Sequence, residues 1–208
     1  MRVVLVHGLG RTPLSMLRLG WDLRRAGLEP HLFGYSPALE RFDRIVLRLQ
    51  RHLEGVANEE YAAVGHSLGG LLLRVAVAGL APRIRPPARI IMLGTPNRSP
   101  QLAQRFRKWL LYRILSGQAG QVLASPDRTA SLPVPAVPLT VIAGTAGSAL
   151  RWGPLRGQPN DGLVAVSEAR LGGHEEFIEL PVWHTFMMNR SRVRQIVRER
   201  CLANGRRQ

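Results

Sequence analysis

Short apolar runs alternate with amphipathic stretches along most of the chain. The first run, residues 3–6, is apolar at every position, which is typical of a strand buried on both faces. Five further short runs are each followed by glycine, proline or serine residues that turn the chain, and each predicts a strand. These five runs are residues 31–35, 61–64, 89–93, 139–143 and 177–180.

Helical periodicity fills the intervals between these runs. Thr12 and Pro13 favour the start of a helix that ends near Gly27, and Ser191 favours the start of a final helix. Residues 71–80 are apolar almost throughout, as expected for a helix that packs against a sheet. After the second predicted strand, apolar side chains three or four positions apart predict a further helix through Phe42, Ile45, Val46, Leu49 and Leu53.

This alternation predicts an α/β fold with about six strands in a mostly parallel sheet, because a helix between two strands returns the chain to the same end of the sheet. Residues 98–138, between the fourth and fifth strands, are too many for a simple loop, so we expect a helical insert there. Leu102, Phe106 and Trp109 begin a helical stripe within it. The insert is either an ordinary helix packed on the core or a lid over an apolar pocket.

Length and composition fit one folded domain over residues 1–208, with 45% hydrophobic residues. No apolar run approaches the about 20 residues that span a bilayer. Cys201 is the only cysteine and lies on the apolar face of the last predicted helix, so we expect a packed core thiol. An intrachain disulfide and a thiolate zinc cluster are excluded. Without a metal-ligand or dinucleotide motif, we expect neither metal nor cofactor.

The chain carries a formal net charge of +15, from 29 lysine and arginine residues against 14 acidic ones. Lys108 is the only lysine, and the arginines are spread along the chain, which fits a GC-rich coding sequence as well as a functional basic surface. A nucleic-acid-binding tail would be denser, so nucleic acid is an unfavoured partner. Arg105, Arg107, Lys108 and Arg113 flank the aromatic residues of the insert, a mixture that suits an anionic membrane surface.

The first residues superficially resemble a signal peptide, because Arg2 precedes an apolar run. That run stops after four residues, whereas the apolar part of a signal peptide needs about 7–15. A glycine-rich turn that we expect to be functional follows directly. We therefore expect a cytoplasmic protein.

The sequence Gly65-His66-Ser67-Leu68-Gly69 lies between a predicted strand and a predicted helix. A G-x-S-x-G sequence in this context places the serine on a sharp strand-to-helix turn, where the flanking glycines avoid a clash between strand and helix. The hydroxyl then projects near a helix N-terminus, which favours developing negative charge. The motif predicts that Ser67 is a nucleophile.

Together with His7-Gly8-Leu9-Gly10 after the first strand, this motif resembles the α/β-hydrolase superfamily, and more narrowly its small bacterial lipase- and esterase-like members. The resemblance covers nearly the whole chain. The family's first two strands are missing, which implies a minimal version of the fold. The resemblance also implies an oxyanion hole formed by the backbone N–H groups of Leu9 and Leu68.

A serine nucleophile needs a general base, and the chain has six histidines. His184 follows the last predicted strand, which is where the resemblance places the base. A buried histidine beside Trp183 and Phe186 is the alternative interpretation. We expect His7 to be a structural hydrogen-bonding residue rather than a base.

A carboxylate must hold the imidazole of the base, and the family's chain order is serine, acid, histidine. Asp161 follows the fifth strand, where the resemblance implies the acid, although Asn160-Asp161-Gly162 is also a good turn sequence. Asp127 is the second candidate but precedes that strand. The other carboxylates between Ser67 and His184 belong to Glu168, Glu175, Glu176 and Glu179.

These residues predict a serine hydrolase that cleaves a carboxylic ester, with an ester or lipid as substrate and an acyl-enzyme on Ser67. An acyltransferase or a thioesterase would use the same three side chains. A non-catalytic binding protein on the same scaffold is a further alternative. The acyl chain length and the oligomeric state stay open.

Overall fold

The computed structural model describes residues 1–106, 110–148, 155, 157–173 and 175–204. Six strands form one sheet in the spatial order two, one, three, four, five, six, numbered along the chain. The predicted α/β fold is confirmed, and every strand pair is parallel. The strands are β1 (Arg2–Val6), β2 (Glu29–Phe33), β3 (Tyr61–His66), β4 (Ile90–Leu93), β5 (Leu139–Gly144) and β6 (Glu175–Leu180).

Helices follow most strands and cover both faces of the sheet. Short 3-10 helices at Pro13–Met16 and Met187–Asn189 precede the first and last α-helices. The α-helices in the described residues are α1 (Leu17–Arg25), α2 (Phe42–Val56), α3 (Leu68–Ala78), α4 (Gln101–Phe106), α5 (Leu110–Leu123), α6 (Pro126–Ala130), α7 (Val166–Ala169) and α8 (Ser191–Asn204).

Successive side chains of β1 point to opposite faces of the sheet, which explains why this strand is apolar throughout. Val4 and Val6 belong to the core on the face that α2 and α3 cover. Val3 and Leu5 belong to the core on the other face, where α1 and α8 pack. Cys201 of α8 is buried in this second core, as expected, and burial raises the pKa of its thiol to about 12.

The second strand begins two residues earlier than the sequence predicts. Its pairing with β1 starts at Glu29 and includes Pro30. The missing N–H of Pro30 is tolerated because β2 is an edge strand. Tyr35, the last residue of the predicted strand, is buried for another reason: its ring stacks on His7 with 4.2 Å between ring centroids.

Three helices, α4 to α6, lie in the segment 98–138, where the sequence predicts a helical insert. Inside α5, the backbone of Gly117 is non-helical, with φ of 52° and ψ of −148°. The residues after this break join the core, with Ala119, Val122 and Leu123 all buried. Trp109 lies outside the described residues, and the role of the insert as a lid stays a prediction.

In the described residues, no helix is both long enough and apolar enough to cross a membrane. All strands are parallel, so their carboxyl ends meet at one edge of the sheet. The turns after β1, β3, β4 and β5 therefore lie close together, and this is where functional residues concentrate in open α/β sheets.

Candidate active site

Ser67 lies on the turn between β3 and α3 and has a left-handed backbone conformation, with φ of 53° and ψ of −122°. The turn is tight enough to require glycine on both sides. A Cβ atom at Gly65 would lie 2.4 Å from the backbone nitrogen of Gly70, and one at Gly69 would lie 2.4 Å from the carbonyl oxygen of Val6. These contacts force the serine side chain away from the packed strand and helix.

His184 and Asp161 form a buried pair at the same edge of the sheet. His184 Nδ1 lies 2.7 Å from Asp161 Oδ2, and the exposed fractions of the two residues are 6% and 2%. Because a carboxylate only accepts hydrogen bonds, Nδ1 carries the proton and Nε2 keeps a lone pair. The backbone N–H of His184 also donates to the carbonyl oxygen of Asp161 at 2.9 Å. The loop of the acid thus holds both the ring and the backbone of the histidine.

Asp161 is itself held in place by the turn that follows it. Its Oδ1 atom accepts hydrogen bonds from the backbone N–H groups of Leu163, at 3.0 Å, and Val164, at 2.7 Å. Asp161 therefore forms the turn and contacts His184 at the same time. The two interpretations of Asn160-Asp161-Gly162, as a turn and as the site of the acid, are both correct in geometry. Asp127, the second candidate acid, lies in the first turn of α6 and is exposed.

Ser67 and His184 line one cavity of about 440 Å³ at the carboxyl edge of the sheet. In the described part of the chain, no hydrogen bond joins the Ser67 hydroxyl to His184, and such bonds are often long before a substrate binds. Most of the lining is apolar, and the remaining lining residues are Leu9, Gly10, Arg11, His66, Pro96, Pro100, Leu102, Ala103, Leu123, Leu163, Val164 and Thr185.

The predicted oxyanion hole consists of two backbone N–H groups, those of Leu9 and Leu68. Leu68 is the first residue of α3, and Leu9 lines the cavity from the turn after β1. Within the described residues, neither N–H donates a hydrogen bond to the protein. Gly8 packs closely against the turn of Ser67, since a Cβ at this position would lie 2.7 Å from His66 Nδ1 and 3.1 Å from Ser67 Cβ.

His7 is fully buried and bonded to neighbouring backbone groups. Its Nδ1 atom lies 2.9 Å from the carbonyl oxygen of Gly8, and its Nε2 accepts from the backbone N–H of Tyr35 at 3.4 Å. Burial lowers the pKa of His7. These contacts assign one tautomer and leave no free ring nitrogen, in keeping with the structural role predicted for this residue.

His66 contacts the candidate base in a way that the sequence does not reveal. Its Nε2–H donates to the carbonyl oxygen of His184 at 3.0 Å, and the two ring centroids are 4.9 Å apart. Burial, followed by the neighbouring His184, holds the pKa of His66 well below 6.5. A neutral His66 therefore ties the turn of Ser67 to the loop of His184. The only sequence signal for it is its place next to the serine.

Several predicted features lie outside what the structure describes. His174, Arg107, Lys108 and the side chain of Arg113 are among them, whereas Arg105 is exposed. Among the described residues, no group of three histidine, cysteine or acidic side chains is arranged to hold a metal ion.

A family model described as the alpha/beta hydrolase family matches residues 3–201. Among curated proteins, no sequence matches significantly. A mature lipase from Bacillus licheniformis is similar in structure, with a TM-score of 0.67, 19% identity, and coverage of 94% of this chain and 89% of the lipase. A monoacylglycerol lipase from Paleococcus ferrophilus has a TM-score of 0.67 at 15% identity, covering 98% and 94%. An extracellular alpha/beta-hydrolase from a Paenibacillus species has a TM-score of 0.63 at 16% identity, covering 99% of both chains.

Proposed function

This chain belongs to the alpha/beta hydrolase family, and we propose that it is a serine hydrolase that cleaves carboxylic esters through an acyl-enzyme on Ser67. The observation that supports this most directly is the buried pair of Asp161 and His184, which opens onto the same cavity as Ser67. A histidine that is held in one tautomer beside a strained serine is suited to remove the hydroxyl proton.

In the proposed reaction, His184 Nε2 takes the proton of the Ser67 hydroxyl while Oγ attacks the carbonyl carbon of the ester. The N–H groups of Leu9 and Leu68 stabilise the negative oxygen of the tetrahedral intermediate. Asp161 stabilises the imidazolium form of His184, which then protonates the leaving alcohol. Water, activated by the same histidine, attacks the acyl-enzyme and releases the acid. Neither a metal nor a cofactor takes part.

The lining of the cavity favours an apolar substrate. Leu102 and Ala103 of α4, together with Leu123 of α5, supply much of its wall. His184 must lie beside the leaving oxygen, so the alcohol part of the ester lies on the side of this residue. We propose that the acyl chain lies against the apolar wall that α4 and Leu123 supply.

We expect Ser67→Ala to lower the hydrolysis of p-nitrophenyl butyrate by at least about a thousandfold, because the nucleophile is lost. Ser131→Ala is the matched control, because this serine is exposed and bonds to the carbonyl oxygen of Arg128. A fluorophosphonate probe should label the parental protein at Ser67, as mapped by peptide mass spectrometry. Full activity of Ser67→Ala, or labelling at another residue, would contradict the proposal.

The same assay separates the related activities that share this chemistry. Addition of a competing alcohol or amine would yield the transferred acyl product if the protein is an acyltransferase. A thioester of the same acyl group would be the faster substrate if it is a thioesterase. Preferential release of the free acid from the oxygen ester supports hydrolysis of esters.

An anionic lipid surface is the second part of the proposal. At the cavity mouth, Arg11 lies over the ring of Phe186 at 5.3 Å, and Phe186 is 56% exposed. Leu163 and Trp183 are also about half exposed in the neighbouring loops. Exposed apolar and aromatic side chains beside arginine suit contact with the headgroups of anionic lipids. A cytoplasmic location completes the proposal, and localisation of a tagged copy would test it.

A further inference from the structure

Glu168 of α7 is a buried carboxylate outside the proposed triad. It is 6% exposed, and no basic side chain among the described residues forms an ion pair with it. Instead, its two carboxylate oxygens accept hydrogen bonds from two different parts of the backbone. Oε1 accepts from the N–H of Gln101 at 2.8 Å, and Oε2 accepts from the N–H of Ala165 at 2.9 Å.

The first of these parts is the start of α4. Gln101 is its first residue, and the next two residues, Leu102 and Ala103, line the catalytic cavity. The backbone around Glu168 adds to this connection. The carbonyl oxygen of Glu168 accepts from the N–H of Arg98 at 2.9 Å, and that of Ala169 accepts from Asn97 Nδ2 at 2.7 Å. The whole segment that leads into α4 is therefore bonded to α7.

The second part of the backbone that bonds to Glu168 is the loop that carries Asp161. Ala165 directly follows Leu163 and Val164, whose N–H groups hold Asp161 and whose side chains line the cavity. One carboxylate thus joins two walls that lie far apart in the sequence. Burial raises the pKa of Glu168, whereas hydrogen bonds from the backbone N–H groups of Gln101 and Ala165 and from the Gln101 side chain oppose this rise. The negative charge of Asp161 adds a smaller upward shift to this pKa.

We propose that Glu168 is a positioning residue that sets the distance between α4 and the loop of Asp161, and thereby the preference of the enzyme for acyl chain length. This inference rests on the proposed ester hydrolysis. Glu168 bonds to no side chain of the proposed triad, and Asp161 keeps its own bonds to the N–H groups of Leu163 and Val164. A short acyl chain that does not reach α4 is therefore hydrolysed without the help of Glu168. A long acyl chain must pack against Leu102 and Ala103, and the position of these two residues depends on Glu168.

The test is Glu168→Gln, assayed on p-nitrophenyl acetate, butyrate, octanoate and laurate. The amide of glutamine can accept only one of the two hydrogen bonds, and its NH2 group faces the other N–H as a second donor. We expect KM for octanoate and laurate to rise about tenfold with little change in kcat, because binding of the chain is lost equally in ground and transition states. The kinetics with acetate should stay within about twofold of the parental protein.

Gln101→Pro removes the N–H donor of this hydrogen bond instead of the Glu168 acceptor. It keeps the proposal testable if Glu168→Gln does not fold. Proline is favoured at the first position of a helix, and the carbonyl oxygen of Pro100 already accepts the first helical bond, from Gln104. This variant should show the same dependence on chain length. Glu175→Gln is the matched control: Glu175 also accepts two backbone N–H bonds, from Leu171 at 2.9 Å and Gly173 at 3.0 Å, and neither donor belongs to α4.

The role in chain-length preference is wrong if Glu168→Gln and Gln101→Pro leave the whole series unchanged. It is also wrong if folded variants, as judged by circular dichroism, lose activity equally on acetate and laurate, or if Glu175→Gln reproduces the effect. A parental protein that hydrolyses no ester and is not labelled by a fluorophosphonate would instead overturn the proposed function, and this inference with it.

Discussion

Ser67 adopts a backbone conformation that costs a non-glycine residue about 1–3 kcal/mol. It is the single non-glycine residue with positive φ in the described part of the chain. The strain persists because the surroundings leave no alternative. The N–H of Ser67 donates to the carbonyl oxygen of Leu93 at 2.8 Å, and Gly65 and Gly69 bring α3 against the strands. The packing of the sheet therefore presents the hydroxyl to the cavity.

His66 makes the stability of the protein depend on pH. In the unfolded chain a histidine titrates near pH 6.5, whereas buried His66 stays neutral to a much lower pH. Below about pH 6.5 the unfolded state therefore binds a proton that the folded state does not. Stability must fall as the pH falls through this range, by about 1.4 kcal/mol per pH unit for each such group.

We expect His66→Gln to remove this contribution, because glutamine does not titrate. Urea unfolding at pH 7.5, 6.5, 5.5 and 5.0 should give a free energy of unfolding that falls less steeply for the variant, by about 1.4 kcal/mol per pH unit below pH 6.5. His7 is present in both proteins, so its contribution to the pH dependence of the free energy of unfolding is the same in both. Parallel curves for the two proteins would show that His66 does not stay neutral in the folded state.

Long-range contacts determine the shape of α5. Its break at Gly117 coincides with contact against the loop before α2, where a Cβ on this glycine would lie 1.9 Å from the carbonyl oxygen of Pro37. The next residue, Gln118, accepts a hydrogen bond through Oε1 from the backbone N–H of Phe42 at 2.9 Å. The insert thus satisfies a backbone N–H at the start of α2, which would otherwise lack a partner.

Gly117→Ala should destabilise the protein by more than about 2 kcal/mol, because alanine meets both a backbone atom and an unfavourable φ. Gly55→Ala is the matched control. Gly55 lies within α2 with open space at its Cβ position, so alanine should stabilise the protein by about 0.5–1 kcal/mol. Thermal unfolding measures both changes. A Gly117→Ala protein as stable as the parent would mean that the break in α5 is not needed.

For the whole molecule, 29 basic residues outnumber 14 acidic ones, which leaves a formal net charge of +15. Many acidic side chains are already paired, such as Asp22 with Arg194 and Arg198, and Glu176 with Arg89 and Arg200. The remaining arginines give the surface a positive potential that attracts anionic surfaces and weakens in salt. Arg11 brings part of this charge to the cavity mouth.

The protein should therefore bind vesicles that contain phosphatidylglycerol and should not bind vesicles of phosphatidylcholine alone. Binding should weaken with salt, and Arg11→Ala should reduce it about fivefold, since one basic residue near such a surface contributes about 1 kcal/mol. Arg51→Ala, on the exposed side of α2, is the control and should reduce binding less. Vesicle sedimentation measures binding. Equal effects of the two variants would mean that the positive charge attracts the protein to the membrane without turning the cavity towards it.

The architecture could be predicted from the sequence because its signals are local. Runs such as residues 3–6 and the helical spacing in α2 arise from neighbours along the chain, and they correctly indicated six strands and a parallel sheet. The turn of Ser67 was equally accessible, because the G-x-S-x-G sequence is a local signal, although the contact that requires Gly69 is with Val6 of β1. The start of β2 was not, because pairing with β1 and its position at the edge set it.

Only the tertiary structure decided which side chains meet. Asp161 and Asp127 were both candidates by sequence, and the loops after β5 and β6 bring Asp161 alone against His184. The bond of His66 to His184 spans 118 positions, and that of Gln101 to Glu168 spans 67. Such pairs leave no periodicity or motif in the sequence, because the contact is made by the docking of separate elements. The sequence by itself determined the fold and the turn of Ser67, whereas packing determined the surroundings of that turn.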